Sequence, residues 1–132
     1  MKKKLSLSIF LIIIFSIFSK AYSIEADVFV QSTVNRAAKT LSGNLTKEAR
    51  IEKLKEIARD TVDINGIGFY SLGAYRKNLT KDKLDTYKKL FSKYFLKSFS
   101  SRLAEYSNPE IEVNSKNVIN KNYTIVSSTL VP

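Results

Sequence analysis

DINGIGFYSLGAYRKNLTKDKLDTYKKLFSKYFLKSFSSRLAEY, residues Asp63 to Tyr106, is the stretch on which the reading of the whole chain turns. It opens with an apolar, glycine-bearing segment, Ile64 to Tyr75, passes a turn at Lys77–Asn78–Leu79, and becomes a long helix after Thr80. The Thr80 hydroxyl can cap that helix, with Asp82 in the first turn where the helix dipole favours a carboxylate. Leu84, Tyr87, Phe91, Tyr94 (or Phe95), Phe99, Leu103 and Tyr106 recur at helical spacing and line one face. Lys88, Lys89, Lys93, Lys97 and Arg102 take the remainder. Aromatic stripes of this kind usually belong to a core. Here the density matters, because Phe91, Tyr94, Phe95 and Phe99 fall within nine residues. A small core has room for so many rings only under a second layer or a ligand.

The segment before the helix is harder to read. Gly66, Gly68 and Gly73 each cost about 1 kcal/mol relative to alanine inside a helix. Ile67, Leu72 and Tyr75 nevertheless predict a short buried helix, with the glycines allowing a neighbouring backbone to approach. No G-x-G-x-x-G follows a strand, and no glycine–lysine–threonine ending marks a phosphate loop.

Upstream, Glu25 to Leu41 reads as a helix with Val30, Val34, Ala37 (or Ala38) and Leu41 on its apolar face, stopped by Ser42–Gly43–Asn44. Thr46 is the expected N-cap of a second helix, in which Ile51, Leu54, Ile57 (or Ala58) and Val62 form the stripe. Downstream of Ser107–Asn108–Pro109 the period changes to two. Ile111 and Val113 alternate with Glu110, Glu112 and Asn114, Lys116–Asn117 reads as loop, and Tyr123–Thr124–Ile125–Val126 runs on towards Leu130. Two antiparallel strands are expected. Two strands alone cannot cover the aromatic helix.

At the amino terminus, Lys2, Lys3 and Lys4 precede an almost wholly apolar run from Leu5 to Phe18, and Lys20–Ala21–Tyr22–Ser23 supplies small residues for processing. That is the plan of a cleavable secretory signal peptide over residues 1–23, with the domain occupying 24–132. The apolar run is shorter than the roughly 20 residues a spanning helix needs. Four of the 22 basic residues leave with residues 1–23, so 18 remain against 12 acidic ones, a net charge of +6. Such a balance draws a protein towards anionic membrane surfaces or acidic partners. An exported protein rarely meets nucleic acid, so no nucleic-acid partner is expected.

The chain has no histidine and no cysteine. That removes the commonest acid–base residue, disulfides, the cysteine nucleophile and any serine–histidine triad. Carboxylate pairs remain, Asp60 with Asp63 and Asp82 with Asp85, both near expected helix ends where carboxylates serve as caps. No enzyme activity is expected.

The central stretch resembles the MlaC family of periplasmic phospholipid-binding proteins, also described as toluene-tolerance or ABC-transporter auxiliary proteins. The likeness is carried by Asp63, Ile64, Ile67, Leu72, Gly73, Tyr75, Thr80, Phe91, Leu103 and Tyr106, in that order and spacing. Two departures accompany it. Family members carry a tryptophan after the LGxY tyrosine, where this chain has Arg76. They also continue with further strands and a final helix, so the resemblance implies roughly the amino-terminal two-thirds of such a protein.

The implied fold is α+β: helices packed on a curved antiparallel sheet of the nuclear-transport-factor-2-like cone, with the sheet incomplete here. The implied function is to carry phospholipid through the periplasm between outer- and inner-membrane complexes, maintaining outer-membrane lipid asymmetry. Phospholipid would be the carried ligand, with no other cofactor and no metal. An inner-membrane ABC lipid transporter and an outer-membrane lipoprotein–porin complex would be the partners. Leu72, Phe91, Phe95, Phe99, Leu103, Val113 and Ile125 are the expected pocket walls. Two other readings stay open. One is an enzyme on a related conical fold with Asp63 or Asp82 as general base. The other is a non-catalytic envelope protein that binds a partner through the aromatic helix.

Overall fold

Three side chains fix where the helices begin. The Thr46 hydroxyl accepts a hydrogen bond from the Ala49 amide (3.2 Å), the Asp63 carboxylate one from Gly66 (2.9 Å), and the Thr80 hydroxyl one from Lys83 (3.5 Å). Each satisfies an amide that the first helical turn leaves without a partner. In the computed structural model, which describes residues 24–131, these caps open helices α2 (Lys47–Thr61), α3 (Ile64–Ser71) and α4 (Lys81–Leu103). Helix α1 (Ala26–Ser42) precedes them, and a 3-10 helix (Gly73–Asn78) joins α3 to α4. Strands β1 (Glu110–Asn120) and β2 (Tyr123–Val131) follow as an antiparallel ribbon. The expected signal peptide and its cleavage point lie outside the described residues.

The elements pack in a row. The ribbon lies on α1, α1 on α2, α2 on α4, and α4 on α3. Two small clusters hold them. Leu41, Leu54 and Ala104 join the ends of α1 and α4 to α2, with Ala37, Ile51 and Leu103 around them. Ala58, Ile64 and Leu96 join α2, α3 and α4, flanked by Val62, Phe91 and Phe95. The α2 stripe therefore faces inward as its spacing predicts. The architecture is α+β, with an unclosed two-stranded sheet among the described residues.

Four expectations need correction. Lys116–Asn117 is strand, and the hairpin turns at Lys121–Asn122, where the Asn120 side chain accepts from the Asn122 amide at 2.9 Å. Between the pairs Val113–Ser128 and Lys116–Val126, β1 spends one residue more than β2, which is a bulge. The extra residue turns Lys116 onto the face of Val113, the side of α1. There its ammonium meets Glu25 at 2.8 Å and Asp27 at 2.9 Å.

The other three concern packing. Helix α3 is only half buried, since Ile67 is 44% exposed and Tyr75, in the 3-10 helix, is 79% exposed. The close neighbour of Gly68 is the Phe91 ring and not a backbone. Gly43 does stop α1 as its position predicts, in extended conformation (φ −72°), and Gly73 adopts the left-handed region (φ +53°) that glycine tolerates. Lastly, α4 does not bury one uniform stripe. Its deepest residues are Leu96 and Ser100, and Tyr94 is 70% exposed.

Candidate functional site

The spacing of Tyr87, Phe91, Phe95 and Phe99 at every fourth residue brings their rings into one row along α4. Successive centroids lie 5.8, 6.2 and 5.4 Å apart, with interplanar angles of 30°, 23° and 11°. Offset rings at these separations attract one another beyond simple burial. The row begins half-buried against α3, where Phe91 fills the space that Gly68 leaves open. The Tyr87 hydroxyl also lies 2.9 Å from that of Ser71, tying the start of the row to α3. It ends in the open, with Phe99 40% exposed.

At the open end the row becomes one wall of a groove of about 430 Å³. Tyr94, Phe95, Phe99, Leu103 and Tyr106 line it, with Ser98 and Arg102 as its polar members. All of these belong to α4 or to the turn that follows. The helix offers two adjacent rows, 94–98–102 and 95–99–103, and the groove runs between them. A mostly apolar concavity with a hydroxyl and a guanidinium at its border can hold hydrocarbon and orient a polar end. Its volume falls in the usual range of small-molecule sites.

The structure brings three of the seven expected wall residues into this groove: Phe95, Phe99 and Leu103. Phe91 continues the same ring row beneath α3. Leu72 is half buried at the junction of α3 and the 3-10 helix, away from the groove lining. Val113 and Ile125 do not join. Val113 lines a separate cleft with Val28, Gln31 and Arg36 of α1. Val113 pairs with Ser128, three residues from Ile125 along unbroken β2, so these two side chains lie on opposite ribbon faces. Ile125 is 45% exposed on the outer one. The other four lining residues, Tyr94, Ser98, Arg102 and Tyr106, are not among the expected wall residues. The signal available is the run at four-residue spacing that starts at Tyr94, with Ser98 one step on and Arg102 two.

The carboxylates considered as bases have structural partners or positions. Asp63 caps α3, Asp60 pairs with Arg36 of α1 at 2.8 Å, and Asp82 sits in the first turn of α4. Arg76 holds its guanidinium 4.9 Å from the Phe69 ring centroid, within cation–π range. Among the described residues no group of three His, Cys, Asp or Glu side chains could hold a metal ion, and no helix is long and apolar enough to cross a membrane.

Residues 30–132 match the family model described as MlaC protein. No curated protein and no solved structure matches the chain.

Proposed function

The chain belongs to the MlaC family of periplasmic phospholipid-binding transport proteins, and from that premise we propose that it carries phospholipid between outer- and inner-membrane complexes. The observation that supports this reading is the aromatic groove on α4, where Phe95, Phe99 and Leu103 stand together with little else to cover them. Moving a diacyl lipid through water exposes on the order of 30 methylenes at about 0.8 kcal/mol each. A carrier has to offset most of that penalty with apolar surface, and a wall of stacked rings supplies it without any catalytic group. The described residues provide one side of such a container.

In this reading Phe91, Phe95, Phe99 and Leu103 touch the acyl chains, with Tyr94 and Tyr106 at the border. Leu72, Val113 and Ile125 are left out of the wall because nothing places them beside the groove. Residues 24–132 act as the carrier, and no chemical step, metal or cofactor takes part. An inner-membrane ABC lipid transporter and an outer-membrane lipoprotein–porin complex are the proposed donor and acceptor.

Native mass spectrometry of the protein purified from a bacterial envelope tests the proposal. Diacyl phospholipid should remain bound to the chain, and Phe99→Asp should remove it by placing a charge in the groove. A folded protein that carries no phospholipid, or a variant that keeps it unchanged, overturns the reading.

A further inference from the structure

Helix α4 concentrates the charge of the molecule. Seven of its 23 residues are basic and two are acidic, a net charge of +5 on this one element. Residues 24–132 together carry +6. Lys89, Lys93 and Lys97 follow one another at four-residue spacing, and all three are exposed. None of them forms an ion pair among the described residues. Beside them Arg59 and Lys88 join Lys89 and Lys93 around a trough of about 710 Å³ floored by Leu96, with Asp85 its one carboxylate.

Two apolar side chains are set among these cations. Leu90 is 63% and Tyr94 70% exposed, and they stand four residues apart. Neither belongs to the buried clusters. A single exposed leucine is ordinary. A leucine and a tyrosine on one helix side, flanked by three lysines without ion pairs among the described residues, form the pattern of a helix that lies in a membrane interface.

We infer that this side of α4 docks on an anionic membrane surface. The lysines supply attraction to the headgroup layer, while Leu90 and Tyr94 enter it. Lysine suits this task because its charge sits on a flexible stem and needs no fixed, planar partner. Tyrosine favours the level where apolar and wet surroundings meet. Tyr94 also borders the aromatic groove, so docking sets the groove edge against the bilayer. The inference itself does not require the groove to hold lipid.

Flotation with two kinds of vesicle tests it, phosphatidylcholine alone and phosphatidylcholine mixed with phosphatidylglycerol, using the protein recovered from a bacterial envelope. The protein should float with the anionic vesicles only, and added salt should weaken the binding. A combined Lys89→Gln, Lys93→Gln and Lys97→Gln variant should bind on the order of a hundredfold more weakly, because each cation near such a surface is worth about a factor of five. Leu90→Ser should weaken binding several-fold at unchanged charge. Circular dichroism and the urea midpoint check that both variants fold.

Equal binding to the two vesicles overturns the inference, as does a triple variant that binds like the parent. Binding to an acidic protein through the same lysines, with neither vesicle bound, overturns it in favour of protein docking. Native mass spectrometry of the parent reports lipid occupancy separately, so loss of surface docking and failure of lipid carriage are told apart.

Discussion

At Gly68 an added Cβ would stand 2.7 Å from the Phe91 ring, inside van der Waals contact. Elsewhere in a helix interior, glycine to alanine gains about 1 kcal/mol. Here the sign should reverse, because the ring belongs to a stacked row and cannot swing away without disturbing Phe95. Gly68→Ala should cost about 1–3 kcal/mol, read as a lowered midpoint in urea denaturation. Ser100 presents the opposite case. It is fully buried between helices, and its hydroxyl has no partner. Ser100→Ala removes a desolvated polar atom and leaves a small side chain in place, so stability should hold or rise by about 1 kcal/mol in the same assay. A loss would mean that the hydroxyl has a partner after all. Neither effect is visible in residue type alone, since both depend on which element lies opposite.

At the scale of elements, the sequence was most informative where the cause is local. Thr46, Asp63 and Thr80 reach only three residues along the chain, so their capping is written in a short window. Thr46 and Thr80 were read as caps. Asp63 is legible only more loosely, as one of a carboxylate pair near a helix end where such groups serve as caps. The choice between Tyr94 and Phe95 was not legible, because helical periodicity fits both and packing against α2 and α3 favours Phe95. The β1 bulge was hidden for a similar reason. Asn114, Ser115, Lys116 and Asn117 are polar, and only pairing with β2 makes them strand.

That bulge has a measurable consequence. Hydrogen bonds to Glu25 and Asp27 hold the Lys116 ammonium above its ordinary value of 10.5, and the bond from Lys116 holds the Asp27 carboxyl below its ordinary 3.8. A raised lysine contributes stability below its unfolded value and loses it as pH rises through the folded one. A depressed carboxyl contributes above its unfolded value and loses it as pH falls through the folded one. The latch between the ribbon and α1 should therefore hold between about pH 4 and pH 10 and weaken outside that window. Amide hydrogen exchange of β1 and β2 at a series of pH values measures this, once corrected for intrinsic exchange. Lys116→Gln should flatten the profile, and added salt should imitate it because the pairs are exposed.

For the whole molecule, the balance of buried and exposed apolar surface is the governing fact. Leu41, Leu54, Ile57, Ala58, Ile64, Leu96 and Ala104 are the buried apolar residues among those described. Small domains bury a modest fraction of their surface and have little stability in reserve. The exposed set includes Phe99, Tyr94 and Tyr106 beside one another in the α4 groove, an apolar patch of the kind that marks a binding surface. If phospholipid fills that groove, it adds burial that the polypeptide lacks, and its binding free energy becomes folding free energy. Lipid at about a hundred times its dissociation constant contributes about 2.7 kcal/mol. In a domain of this size that corresponds to a rise in Tm on the order of 10 °C. Protein stripped of lipid and refolded should therefore melt lower than the same protein reloaded with phospholipid, by differential scanning calorimetry. Phe99→Asp should abolish the difference whatever it does to the baseline, since the comparison is made within each variant. Equal melting of the stripped and reloaded parent would mean that the groove gains nothing from lipid, and the stacked rings would then need another occupant.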